Sequence, residues 1–102
     1  MKKLLVLGAN PETVSVILKA KEMGYYTIVT DYDPKAYAKQ YADEALNIDA
    51  TDVDRLVEIV KEKKIDGVIV GVAEALLYSY NAVCERTGLP CYIEKENIVF
   101  LL

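Results

Sequence analysis

Hydrophobic and polar positions change period several times along the chain. Lys3–Leu7 is a continuous apolar run of strand length, the pattern of a strand buried on both faces. Gly8-Ala9-Asn10-Pro11 interrupts it. Asn10 is a good N-cap, and Pro11 falls at the first helical position, where a missing N–H costs nothing. Val14, Ile17 and Leu18 then mark one helical face, with Ala20 and Met23 beside it, and Gly24 closes the helix as a left-handed cap. Tyr26–Thr30 predicts a second strand. Asp33-Pro34 repeats the cap-then-proline signal. Pro34, Tyr37, Ala38, Tyr41 and Ala42 follow at helical spacing, predicting a short amphipathic helix. Glu44–Ile48 reads as a weaker, more polar strand. Thr51 or Asp52 caps a third helix with Val53, Leu56, Val57 and Val60 inward. Gly67 and Gly71 bracket a strand at Val68-Ile69-Val70. A fourth helix spans about Glu74 to Thr87, with Leu76, Leu77, Tyr80, Val83 and Cys84 inward and Gly88 closing it. Pro90 leads into a short strand at Cys91–Ile93.

Strands alternating with helices predict a single α/β domain over residues 1–102: a three-layer, Rossmann-like parallel sheet covered on both faces. Right-handed crossovers leave two common strand orders, 3-2-1-4-5 and 2-1-3-4-5. Strand 3 carries Glu44, Asn47 and Asp49 and reads as an edge, while Ile28 and Val29 place strand 2 inside. The order 3-2-1-4-5 satisfies both. Ligands in such sheets bind beyond the carboxyl ends of the strands, where the order reverses. Here that is the crevice between strands 1 and 4. Its rims are Gly8-Ala9-Asn10 and Gly71-Val72-Ala73-Glu74, with Asp31 beside it.

Composition narrows the chemistry. At 102 residues, 53% hydrophobic and 27% charged, the chain is neither disordered nor large enough for two cores. No apolar run approaches the ~20 residues of a membrane span. The apolar start reaches Gly8-Ala9-Asn10-Pro11 too soon for a signal peptide, which predicts a cytoplasmic protein. The absence of histidine removes Ser-His-Asp and Cys-His catalysis and every His-containing metal site. Cys84 and Cys91 form no metal-ligand pattern and read as reduced core thiols. With a net charge of −4 and only Arg55 and Arg86 among twelve basic residues, there is no basic stripe for nucleic acid. Lys61-Glu62-Lys63-Lys64 suits the C-terminal dipole of a helix. Tyr37, Tyr41 and Tyr80 lie on inward faces as ordinary core.

The rims leave several readings open. Gly8 lets the backbone turn and approach a ligand, and the helix behind it offers N–H groups to an anion. Pro11 removes one of those donors. A dinucleotide fingerprint over Gly8–Thr13 keeps only its first glycine, and Glu12 would repel a pyrophosphate. Asp31 stands where a ribose-binding acid would, so an NAD(P)-type dinucleotide domain is one alternative. A tight turn plus helix cap also explains Gly8, Asn10 and Pro11 without any ligand. Glu74 is either an acid in a first helical turn or a crevice group for an amine or hydroxyl. Asp33 serves better as an N-cap than as half of a metal pair. A receiver domain would need paired acids where this chain has Gly8-Ala9-Asn10.

Five segments carry a resemblance: Leu4–Glu12, Gly24–Pro34, Tyr41–Glu44, Ile65–Val68 and Cys84–Tyr92. In order and spacing the chain resembles, over roughly residues 2–92, the N-terminal pre-ATP-grasp domain of ATP-grasp ligases of the carbamoyl-phosphate-synthase-like and carboxylate–amine type. The resemblance implies a domain that helps hold a small carboxylate or amine substrate and packs on the ATP-grasp domain. In such enzymes ATP activates a carboxylate as an acyl phosphate, which an amine then attacks. It also implies substrate contacts at Gly8, Ala9 and Asn10, at Asp31, and after strand 4 at Gly71, Ala73 and Glu74. Family members continue into the ATP-grasp domain, with its ATP and Mg²⁺ ligands. Ile93–Leu102 does not follow that pattern. The expectation is a domain with no catalytic residues or bound cofactor of its own, inactive alone, whose ATP-grasp partner acts in trans or lies elsewhere. Residues 94–102 read as a tail or an extra strand, and apolar Ile98–Leu102 as a homodimer contact. A stand-alone interaction module that has lost its site is the remaining alternative.

Overall fold

Two five-residue strands, each with buried apolar residues, form the centre of the sheet. The computed structural model describes residues 2–70 and 76–89. In it β1 (Lys3–Leu7) and β2 (Tyr26–Thr30) have the predicted bounds and pair in parallel, Lys3 opposite Tyr26 through Leu7 opposite Thr30. β3 (Glu44–Leu46) pairs with β2, and β4 (Gly67–Val70) with β1, both parallel. The observed order is β3-β2-β1-β4, with polar β3 at the edge as predicted. β3 stops at Leu46 rather than Ile48, because its partner β2 ends at Thr30, opposite Leu46. The strand predicted at Cys91–Ile93 and the tail beyond it lie outside the described residues.

Among the described residues, three α-helices and one 3-10 helix complete the layers. α1 is Thr13–Glu22, α2 is Val53–Lys63 and α3 is Leu77–Thr87. α1 begins two residues later than Pro11 suggests. Asn10 Oδ1 does accept the Thr13 amide, at 3.2 Å, but it caps a turn through Pro11 and Glu12 that precedes the regular helix. The inward stripe of α1 is Thr13, Ile17 and Ala20. Leu18, expected inside, is 48% exposed. Thr13 can occupy an apolar face because its hydroxyl is bonded to Asn10 Oδ1 at 2.7 Å, which removes the cost of burying it. Asp52 caps α2 by accepting the Arg55 amide. Gly24 and Gly88 take the left-handed conformations predicted for helix ends.

The segment after Pro34 departs furthest from expectation. It winds as a 3-10 helix over Tyr37–Tyr41, not as an α-helix from Pro34. With three residues per turn the inward face rotates: Ala38 and Lys39 are buried, while Tyr37 is 51% exposed and stacks edgewise on Tyr41.

The two sheet faces are unequal. On one, Leu5, Leu7, Ile28, Val68 and Val70 pack under α2 and α3 around a fully buried Tyr80. On the other, Val6 and Val29 pack under Ile17 of α1 and Ala38 of the 3-10 helix. The carboxyl ends of β1, β2 and β4 open at one end of the layers. Among the described residues no helix is long and apolar enough to cross a membrane.

Candidate functional site

The chain leaves β1 through Gly8 at φ 85°, a conformation costly for any residue with a Cβ. Its amide donates to the Thr30 carbonyl at 2.8 Å. A Cβ on Gly8 would stand 2.8 Å from Leu76 Cδ1, so the side chain just ahead of α3 lies against this turn. Ala9 follows, fully buried, its carbonyl accepting the Ala38 amide at 3.0 Å.

Asp31 organises both loops at this edge. One carboxylate oxygen accepts the Ala9 amide at 3.0 Å, and the other accepts the Asp33 amide at 3.0 Å. The loop after β1 is thereby tied to the loop after β2. Each oxygen keeps a further lone pair, and Asp31 is half-exposed, so a ligand can still reach it. Asp33 accepts the Lys35 amide at 2.9 Å, the capping turn the sequence suggested.

Lys39 lies behind Asp31. It is only 9% exposed, and its ammonium donates to the Asp31 carbonyl at 2.8 Å and to Asn47 Oδ1 at 2.7 Å. A buried ammonium is tolerable only with such partners. Sequence reasoning missed Lys39, because a lysine between alanine and glutamine reads as solvated. It also missed Thr30, whose buried hydroxyl has no hydrogen-bond partner among the described residues.

The structure therefore brings four predicted site residues together: Gly8, Ala9, Asn10 and Asp31. The other three, Gly71, Ala73 and Glu74, lie outside the described residues. The amides of Gly8, Ala9 and Thr13 are engaged within the fold. Pro11 has none. Asn10 and Glu12 carry the remaining donors of the turn, a sparse cradle for a phosphate. Among the described residues no group of three His, Cys, Asp or Glu side chains is close enough to hold a metal ion.

No family model matches the chain. It is 34% identical over 87 residues to the formate-dependent phosphoribosylglycinamide formyltransferase of Synechococcus sp. (strain WH7803), covering 85% of this chain and 22% of that protein. The N5-carboxyaminoimidazole ribonucleotide synthetase of Thermotoga maritima superposes with a TM-score of 0.77 at 26% identity, over 98% of this chain and 27% of that one. The phosphoribosylglycinamide synthetase of Anaerococcus prevotii gives 0.78 at 29% identity, over 87% and 23%. This chain is a homologue of the N-terminal, pre-ATP-grasp domain of ATP-grasp ligases. It spans about a fifth of the curated relatives' length, 22%. In this pre-ATP-grasp domain the switch point lies between β1 and β4, beside the Gly8–Asn10 turn.

Proposed function

We propose that the chain supplies acceptor-substrate binding and domain packing to an ATP-dependent carboxylate–amine ligase, and that it does not catalyse ligation alone. The observation that carries this reading is the Gly8–Asn10 turn at the switch point, fixed by Asp31 through the Ala9 amide at 3.0 Å. A turn fixed in advance binds without a large ordering cost. The three relatives share a phosphoribosyl or ribonucleotide group in their names. We therefore take the acceptor to be a phosphoribosyl-bearing amine. Gly8 and Ala9 allow its close approach, Asn10 and Asp31 offer polar contacts, and Gly71, Ala73 and Glu74, which follow β4 in the sequence, are the remaining proposed contacts. ATP and Mg²⁺ act from the ATP-grasp domain, joined to this domain or meeting it in trans. The working compartment is the cytoplasm.

The test is calorimetric and catalytic together. Purified chain should bind phosphoribosylglycinamide saturably and release no phosphate from ATP–Mg²⁺ in the presence of formate and that acceptor. Phosphate release dependent on the acceptor would overturn the claim of inactivity alone.

A second reading, an interaction module that has lost the site, draws on Leu76 lying against Gly8. If Leu76 fills the acceptor position, the native chain does not bind the acceptor, and a Leu76→Ala variant, which empties that position, does.

A further inference from the structure

A shallow apolar trough of about 450 Å³ follows α1 on its β4 side, lined by Leu4, Val16, Ala20, Met23, Tyr25 and Ile69. The coverage of this sheet face explains it. α1 packs over Val6 and Val29 against β2, and the 3-10 helix lies against α1 and β3. No described element covers β4 there. Ile69 is accordingly only half-buried, while Val68 and Val70, pointing to the other face, are buried. An open apolar strip beside β4, the outermost described strand, exposes area that water disfavours, at about 25 cal/mol per Å².

We propose that Ile98-Val99-Phe100-Leu101-Leu102 of the same chain occupies this trough. These are five consecutive apolar residues, set off by the charged Glu94-Lys95-Glu96. The tether is long enough. Leu89 packs on the α2–α3 core, and the nine residues to Ile98 span up to about 30 Å. The molecule measures 32 × 27 × 26 Å. The volume also suits. A cavity of ~150 Å³ accepts one benzene, so the trough has room for the Phe100 ring and aliphatic neighbours. The thioether of Met23 and the ring of Tyr25 are favourable partners for that ring. A tether of this length holds the segment at an effective concentration in the millimolar range. That favours the segment of the same chain over one from a second copy.

Phe100 is the one phenylalanine of the sequence, so its ring signals identify themselves in an NMR spectrum of the full chain. The expected result is nuclear Overhauser contacts from that ring to the Met23 and Val16 methyls, unchanged on dilution. Met23 is 63% exposed, so Met23→Glu should leave the fold intact. It should abolish those contacts and speed amide exchange over residues 98–102 by about tenfold or more. A contact seen only between differently labelled copies, with a dimer mass in sedimentation, would overturn the proposal in favour of a second copy. A Phe100 ring with no contact to α1 would overturn it outright.

Discussion

The two ends of the sheet differ in what joins their elements. At the carboxyl end the bonds run to the backbone. Asp31 accepts the Ala9 and Asp33 amides, Thr30 accepts the Gly8 amide, and buried Lys39 joins the Asp31 carbonyl to Asn47. At the amino end half-exposed charges meet across elements. Lys63 pairs with Glu44 at 2.6 Å, Tyr26 donates to Glu44 at 3.2 Å, and the Lys3 ammonium donates to the Lys63 carbonyl at 2.9 Å. The first arrangement fixes a loop in one conformation. The second joins elements that the sheet already aligns, and exposed pairs of that kind contribute roughly 0–1 kcal/mol. The amino end also has carboxylates on backbone amides, Asp66 on Lys3 and Asp43 on Thr27, each at 2.8 Å, so the ends differ in the added ion pair and in the loop that Asp31 fixes.

Gly8→Ala should have the largest effect. The left-handed φ costs about 1–3 kcal/mol for a residue with a side chain, and the new Cβ meets Leu76 Cδ1. Urea denaturation should show that loss. Adding Leu76→Ala should recover only the steric part, leaving a non-additive cycle; a neutral Gly8→Ala would break the account of this turn. Asp31→Asn should cost about 1–2 kcal/mol, because one of two amides loses its acceptor, and should broaden the amide signals of residues 8–10. Lys63→Met, at the other end, should cost under about 1 kcal/mol and lose most of that effect at high salt. If Lys63→Met proved as costly as Asp31→Asn, the contrast between the ends would fail.

Acid should sharpen the same contrast. The Thr27 amide holds the Asp43 carboxyl below its usual range, the Lys63 ammonium does so for Glu44, and the Thr51 amide for Asp49. A carboxylate with a lowered folded value stabilises fully above its unfolded value, near 4, and loses that contribution as pH falls through the folded value. Tm should therefore hold from neutrality to about pH 5 and fall below about pH 4. Glu44→Gln should flatten part of that fall. Lys63 works in the opposite sense. Its hydrogen bond to Glu44 raises it, so its contribution is present below about 10.4 and is lost as pH rises beyond that.

Much of this was legible in the sequence. An apolar run gave β1 and the segment after Gly24 gave β2, both to the residue, the polar third strand declared itself an edge, and glycines marked the ends of α1 and α3. The turn at Gly8–Asn10 was legible too, because a glycine followed by an N-cap residue and proline ends a strand in a turn. Lys39 and the 3-10 helix were not. Whether a lysine is buried depends on acceptors supplied by β2 and by Asn47, distant in sequence. The α-helical period of Tyr37, Ala38 and Tyr41 also fits three-residue turns over so short a stretch. Leu18 was misplaced because a bonded Thr13 took an inward position that hydrophobicity alone assigns to leucine.

The central claim, that the Gly8–Asn10 turn held by Asp31 receives the acceptor substrate, is met most directly by an amide-resolved NMR titration of the chain. The ligands are phosphoribosylglycinamide, ATP–Mg²⁺ and NAD(H) in turn. The account predicts saturable shifts at Gly8, Ala9 and Asn10 with phosphoribosylglycinamide and none with either nucleotide. Saturable shifts at Gly8 and Asp31 with NAD(H), and silence to phosphoribosylglycinamide, would contradict it.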